Sequence, residues 1–232
     1  MEEVSIALLD AFGGRELRKA DRDLLAGRIT LRETMEREFG LLRAPRAEME
    51  AFVRKVRLRR GFRELLAAAR RHGVPFVIVS EGLDFYIRAF LEDKGIEADI
   101  RCNRALFGPA GIVMEHPYAD GECDRCGTCK KAQLLDFRAR GYTTVYIGDG
   151  ISDRCPAREA DVLFARDGLL EYCGKEGIRC HSFRDFNDVL AVLGKRSWKA
   201  TSSSASSPRR PRPRSRARTR GAGRRKARGC TD

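Results

Sequence analysis

The sequence predicts an α/β fold: a parallel sheet flanked by helices, a small helical region ahead of it, and a disordered tail behind. Three observations carry this. Short apolar runs of strand length alternate with helix-period segments after residue 73. Two of these runs, ending at Val79 and Ile147, lead straight into Ser- or Asp-bearing turns rich in Gly. From about Ser197 the composition collapses into Ser, Pro, Arg, Gly and Ala, which cannot bury a core.

Residues 1–72 read as helical. Ile6, Leu8, Leu9 and Phe12, then Leu17, Ala20, Leu24 and Leu25, recur near a 3.6-residue period. Gly13-Gly14 and Gly27 interrupt it. Thr30 has Glu33 three residues on, the spacing of a capping box, and opens a helix over Leu31–Leu42 that Pro45 ends. A further helix is expected through Phe52, Val53, Val56 and Leu58. Another runs through Phe62, Leu65, Leu66 and Ala69 to Gly73. Val74–Val79 is a buried strand followed by a turn at Ser80-Glu81-Gly82, and Phe85–Leu91 is a helix. Ile100–Met114 reads as a hairpin turning at Gly108-Pro109 and Gly111. Lys130–Arg138 is helical. Thr143–Ile147 is a second buried strand closing on Gly148-Asp149-Gly150. A short helix at Ala157–Ala160, a strand at Val162–Ala165 and a helix at Asn187–Leu193 complete the order. Strands alternating with helices make a Rossmann-like parallel sheet, and such sheets place their chemistry at strand C-termini, where Ser80 and Asp149 stand. The expected division is a helical part over 1–58, an α/β core over 59–196 and a basic tail over 197–232.

Composition excludes several classes. The net charge of +13 belongs to the tail: 14 Lys/Arg and one acid follow residue 194, leaving 32 basic against 32 acidic residues before it. The body is therefore neutral and gives no sign of nucleic-acid binding. Only the tail, with 11 Lys/Arg between Pro208 and Arg228, has the charge to hold a polyanion, and no aromatic follows Trp198 to stack on bases. No apolar run approaches the roughly 18 residues of a spanning helix. The start, Met1-Glu2-Glu3, is unlike a signal peptide, so a cytoplasmic location with reduced thiols is expected.

The strongest motif is Tyr146-Ile147-Gly148-Asp149-Gly150-Ile151-Ser152-Asp153. A strand delivers two carboxylates, four apart, into a tight turn. They can meet a hard cation such as Mg²⁺, or serve as an acidic turn that caps a helix. Ser80, with the N–H groups of Glu81 and Gly82, can hold a phosphate oxygen, or can simply cap the next helix. Lys130 opens a helix after Cys129, with Lys131 as the adjacent alternative. Cys123, Cys126 and Cys129 have metal-knuckle spacing without a second pair, and Gln133 stands where an iron–sulfur run would want a fourth Cys. His116 and Cys155 could complete a site if the fold brings them in; free thiols are the other reading. His72 and His181 fall at element ends and carry no assignment.

A strand-Ser-x-Gly turn, a Lys about fifty residues on, and a strand-Gly-Asp-Gly-x-Ser-Asp loop in that order resemble the haloacid dehalogenase-like phosphatases, in their phosphoserine-phosphatase-like subclass. Cys126-Gly127-Thr128-Cys129-Lys130 and Val162-Leu163-Phe164-Ala165-Arg166-Asp167 are similar to segments of the 2-hydroxy-3-keto-5-methylthiopentenyl-1-phosphate phosphatases of methionine salvage. The resemblance covers roughly residues 4–194. It implies a Mg²⁺-dependent hydrolase of a small phosphorylated metabolite. Ser80, Glu81, Gly82 and Lys130 would bind phosphate, Lys130 would act in catalysis, and Asp149 and Asp153 would hold the metal. Residues 4 to about 58 would form the helical cap. The family's first motif, a strand ending in Asp-x-Asp-Gly-Thr that supplies the nucleophile, does not occur. The expectations are a start site lying upstream or, as alternatives, a catalytically dead relative or a protein that binds nucleic acid through its tail. Oligomeric state is not encoded in any motif here.

Overall fold

The computed structural model describes residues 2–13, 17–109 and 111–194. The Arg-rich tail, and the readings placed on it, lie outside these residues.

Five helices come first: α1 (Glu2–Phe12), α2 (Leu17–Leu25), α3 (Leu31–Gly40), α4 (Arg46–Arg54) and α5 (Phe62–Arg71). The expected capping box forms at Thr30. Its Oγ1 accepts from Glu33 N at 3.2 Å, and its own N–H donates to Glu33 Oε2 at 2.7 Å. The fourth helix ends sooner than its apolar spacing suggested, with Val56 and Leu58 in the following loop.

β1 spans Val77–Leu83, later at both ends than expected. Val74 N–H closes α5 by donating to Ala69 O at 2.9 Å, and Pro75 has no N–H to offer a ladder. At its far end the chain stays extended through Ser80, Glu81 and Gly82, which are therefore strand residues and not a turn. The pairing with β2 (Asp99–Gly108) is parallel and its register shifts between Val79 and Leu83. α6 (Asp84–Asp93) links the two strands, and β3 (Gly111–Glu115) returns antiparallel to β2 as the expected hairpin. Next come α7 (Lys130–Ala139), β4 (Val145–Gly148), a 3₁₀ turn (Ile151–Asp153) and α8 (Arg154–Ala157). α8 forms earlier than read, continuing directly from the 3₁₀ turn with Pro156 tolerated in its first turn. β5 (Val162–Ala165) is where expected. α9 (Asp167–Glu176) and the two-residue β6 (His181–Ser182) were not foreseen, and α10 (Phe186–Leu193) closes the order.

The fold class is α/β as expected, but the strands form two sheets among the described residues. One has the order β1-β2-β3 and the other β4-β5-β6. β4, β5 and β6 are all parallel. The early helices share one apolar cluster with β1 and α6, built on Leu8, Phe39, Met49, Val53, Tyr86 and Ile87. A second cluster packs Leu65 of α5 and Val189 and Leu193 of α10 onto Val162 and Phe164 of β5.

β1 and β4 are edge strands of separate sheets. Both line one cavity of about 760 Å³. Its walls include Leu134 and Phe137 of α7, and Phe62, Leu65 and Leu193 of α5 and α10. The cavity is thus walled by both strand edges and by these helices.

Candidate active site

The site is assembled at the C-terminal ends of β1 and β4. Ser80, Glu81, Gly82, Lys130, Asp149 and Asp153 all line the same cavity.

Asp153 is its structural centre. The 3₁₀ turn folds its carboxylate back under the end of β4, so that it is buried at 3 % exposure. Gly148 makes room for it, since a Cβ there would fall 2.7 Å from the Asp153 carboxylate. Asp153 Oδ2 accepts from the N–H groups of Asp149 (2.9 Å) and Gly150 (3.1 Å). Oδ1 accepts from Lys130 Nζ (2.7 Å) and Tyr146 Oη (2.7 Å). Burial works to raise the Asp153 pKa, but the Lys130 charge and these hydrogen bonds outweigh it and hold the carboxyl below its ordinary value. Tyr146 is pushed well above its ordinary pKa by burial and by Asp153, so it stays a donor.

Lys130 sits at the first position of α7 and also donates to Ser152 Oγ at 2.7 Å. Asp149 differs from its neighbour. Its carboxylate is one quarter exposed, with Arg166 Nε 3.7 Å from Oδ2. Of the two carboxylates read as metal ligands, Asp153 is already saturated by four donors, whereas Asp149 keeps a face toward the cavity. Among the described residues, no three His, Cys, Asp or Glu side chains converge as a ready-made metal cage. One carboxylate beside open space suits Mg²⁺, which retains much of its water and takes few protein ligands.

Ser80 is buried, and its Oγ accepts from Gly82 N–H at 3.1 Å. Glu81 points away from solvent. Its Oε2 accepts from the N–H groups of Gly127 (3.1 Å) and Thr128 (3.0 Å), so it anchors the loop that leads to Lys130. Its Oε1 is buried with no hydrogen-bond partner. Burial raises the Glu81 pKa, against the nearby Lys130 charge. Lys131, the alternative lysine, instead pairs with Glu159 at 2.8 Å.

Cys123, Cys126 and Cys129 are free thiols. Burial pushes Cys126 up to about 12 and raises Cys129, which keeps both protonated. Cys129 Sγ donates to Asp120 Oδ2 at 3.9 Å. Cys155 is not among these free thiols. His116 turns from this loop toward Glu36 and Asn103. Asn103, Thr128, Tyr146 and Arg166 escaped notice as site residues from sequence. Asn103 carries no local motif, whereas Thr128, Tyr146 and Arg166 lay within segments already singled out. No helix among the described residues is long and apolar enough to cross a membrane.

Comparison with known proteins identifies the family. The haloacid dehalogenase-like hydrolase family profile matches residues 6–158. The chain is 38 % identical over 193 residues to the 2-hydroxy-3-keto-5-methylthiopentenyl-1-phosphate phosphatase of Geobacillus kaustophilus, covering 81 % of this chain and 87 % of that one. It is 33 % identical over 193 residues to the Bacillus velezensis protein of the same name, covering 82 % of each. A phosphoserine phosphatase solved as a phospho-aspartyl intermediate analogue superposes with a TM-score of 0.59 at 19 % identity, covering 81 % of this chain and 90 % of that one. The phosphoserine phosphatase of T. onnurineus gives 0.57 at 20 % identity, covering 79 % and 82 %. With the family profile spanning well over half of the chain and relatives this similar along most of their length, the chain belongs to the haloacid dehalogenase-like hydrolases.

Proposed function

We propose that these residues form the phosphate- and metal-binding half of a Mg²⁺-dependent phosphomonoesterase. Its substrate would be a small phosphorylated metabolite of the 2-hydroxy-3-keto-5-methylthiopentenyl-1-phosphate class, placing it in methionine salvage. The observation that carries this is the convergence of Ser80, Lys130 and the Asp149–Asp153 loop on one cavity at the strand ends.

Each residue has a task that follows from its surroundings. Ser80 Oγ and the backbone N–H groups beside it receive phosphate oxygens. Lys130 is held by Asp153 and Ser152 with its charge facing the cavity, where it neutralises charge developing on the phosphoryl group. Asp149 would hold Mg²⁺, which would supply Lewis-acid polarisation of the phosphoryl group. Asp153 anchors Lys130 and the loop. The helices before residue 58 act as the cap that selects the substrate.

The nucleophile is not among these residues. Asp-x-Asp-Gly-Thr does not occur in the sequence. We place the missing carboxylates on a further strand seated between β1 and β4, in the cavity the two edges line. Such a strand would pair with both edges and run parallel to them. Left unpaired, each buried edge group costs about 1–3 kcal/mol.

The test compares residues 1–196 with a version extended upstream by about 20 residues, enough for one strand and its turn, taken from the coding sequence in frame. The extended form should hydrolyse p-nitrophenyl phosphate with Mg²⁺ while the short form does not. Comparable turnover by the short form would place the nucleophile elsewhere. An extension without a carboxylate pair, folded but inactive, would make the chain a binding protein on this scaffold.

A further inference from the structure

α3 lends one stripe of residues to the cavity wall. Leu31, Thr34, Met35 and Glu38 follow one another at the three- and four-residue steps of a helix face, and all of them line the cavity. Leu31 and Met35 suit an apolar interior. Thr34 and Glu38 do not, yet they are the buried members of the stripe. Thr34 Oγ1 donates to the Thr30 carbonyl at 2.9 Å, which leaves its lone pairs as acceptors. Glu38 meets another acid, Asp21 of α2, which lines the same cavity. The arginines of this corner are engaged elsewhere, since Arg28 and Arg37 pair with Asp23 at 2.6 and 3.7 Å. Burial, with the Asp21 charge, pushes Glu38 up to about 8, so near pH 7 it keeps a proton that it can donate. A polar group set in a dry stripe costs stability unless something bonds to it.

β1 adds a further carboxyl to the same cavity. Glu81 is 7 % exposed, and only one of its oxygens is engaged. Oε2 accepts from the Gly127 and Thr128 amides, whereas Oε1 is buried with no hydrogen-bond partner. A molecule whose phosphate sits at Ser80 and Lys130 therefore offers the rest of itself to carboxyl groups from α2, α3 and β1. A hydroxyl both donates and accepts, so it can bond to a carboxyl group in either protonation state. A second anionic group on the ligand only accepts, and it meets like charge. Among the described residues, the cations that line the cavity are Arg57, Arg59, Lys130 and Arg166, none of them on α2 or α3. Lys130 is held by Asp153, and Arg166 stands 3.7 Å from Asp149.

We propose that Glu38 and Asp21 are specificity-determining residues which, with Glu81, form a carboxyl-lined subsite. It takes the uncharged hydroxyl or carbonyl groups of a phosphomonoester and turns away a substrate that bears a second anionic group. This rests on the phosphate seat proposed above at Ser80 and Lys130, and adds what the remainder of the substrate must be. Leu24, Leu31 and Met35 continue the wall beside the acids, which suits an uncharged chain beyond the hydroxyls. A polyol or hydroxyketone phosphate meets these demands. A phosphorylated hydroxy acid does not, because its carboxylate finds an acid where it needs a cation.

Two ligands that differ at a single carbon test this. Glycerol 3-phosphate ends in a hydroxymethyl group where 3-phosphoglycerate ends in a carboxylate. Their affinities for the full chain, with inorganic phosphate as the reference, are read by titration calorimetry near pH 7 with Mg²⁺ present. The unaltered chain should bind glycerol 3-phosphate roughly tenfold tighter than 3-phosphoglycerate, or better. Asp21→Asn with Glu38→Gln keeps the side-chain shapes and removes the acids, and should lower that ratio roughly tenfold, the effect of one like-charge repulsion. Glu38→Ala should weaken glycerol 3-phosphate roughly fivefold relative to inorganic phosphate, the effect of one lost hydrogen bond. Should the double variant not fold, as judged by circular dichroism, Asp21→Asn alone carries the test, because Asp21 is exposed. Phosphate binding with a ligand ratio unchanged in these variants would overturn the subsite and leave the phosphate seat standing. A chain that binds no inorganic phosphate would overturn both.

Discussion

Lys130 and Asp153 carry opposite charges in a nearly dry place, with side chains 11 % and 4 % exposed and atoms 2.7 Å apart. Removing one partner strands the other. Lys130→Ala should therefore cost about 3–5 kcal/mol in denaturant unfolding, and Lys130→Met/Asp153→Asn together should cost less than the sum of the two single changes. Asp149 is a different case, because its carboxylate supports little of the surrounding structure. In the extended form, Asp149→Asn should lower Mg²⁺-dependent turnover by a factor on the order of 10²–10³ while leaving the unfolding midpoint nearly unchanged. Unchanged turnover would remove Asp149 from the site. The carboxylate pair and Lys130 were legible because their spacing is local. Four residues separate the two acids, and a helix start places the lysine. The hydroxyl of Tyr146 was not legible as a partner of Asp153, because its direction depends on how β4 meets the 3₁₀ turn.

At the scale of the element, local chemistry and tertiary contact divide the work. α3 begins where its capping box says it should, and Thr30→Ala should cost about 1 kcal/mol by urea denaturation. α4 ends earlier than its apolar pattern because Val56 and Leu58 join the core from a loop, where burial does not need helical spacing. β1 shows the reverse. Ser80-Glu81-Gly82 has the composition of a turn, yet stays extended because Leu83 still pairs with Asn103 across a shifted register. Gly82 is required there by closeness, since a Cβ would fall 1.9 Å from Tyr86 Oη. Gly82→Ala should accordingly displace Tyr86 and disturb the Ser80 segment, lowering stability more than a surface Gly→Ala change would.

For the whole molecule, the two sheets and the cavity between them set the behaviour. If a further strand fills the cavity as proposed, supplying it should raise the unfolding midpoint and the m-value together, because more surface becomes buried. A second global effect comes from Glu38 on α3, which is 5 % exposed and lines the cavity. Burial, with Asp21 beside it, pushes its pKa up to about 8 from 4.5. The folded state thus keeps a proton that the unfolded chain releases. Its stabilising effect is complete below about pH 4.5 and declines as the pH rises to about 8, by at most about 1.4 kcal/mol per pH unit. Glu38→Gln should flatten that decline in denaturation curves recorded across this range. An identical slope in the variant would show that Glu38 is not the group responsible.

The α/β class, the order of the elements apart from α9 and β6, and the choice of Lys130, Asp149 and Asp153 as candidates follow from the sequence alone, because periodicity, Gly-rich turns and short spacings are properties of neighbouring residues. So does the lack of Asp-x-Asp-Gly-Thr. Tertiary structure decided what depends on distant partners. It saturated Asp153 and left Asp149 open, turned Glu81 to hold the loop before Lys130, and joined Glu36 to His116 across 80 positions of chain. It also split the strands into two sheets. Strand pairing is a contact between edges far apart in sequence, and no local pattern records that β1 and β4 each face a cavity instead of each other.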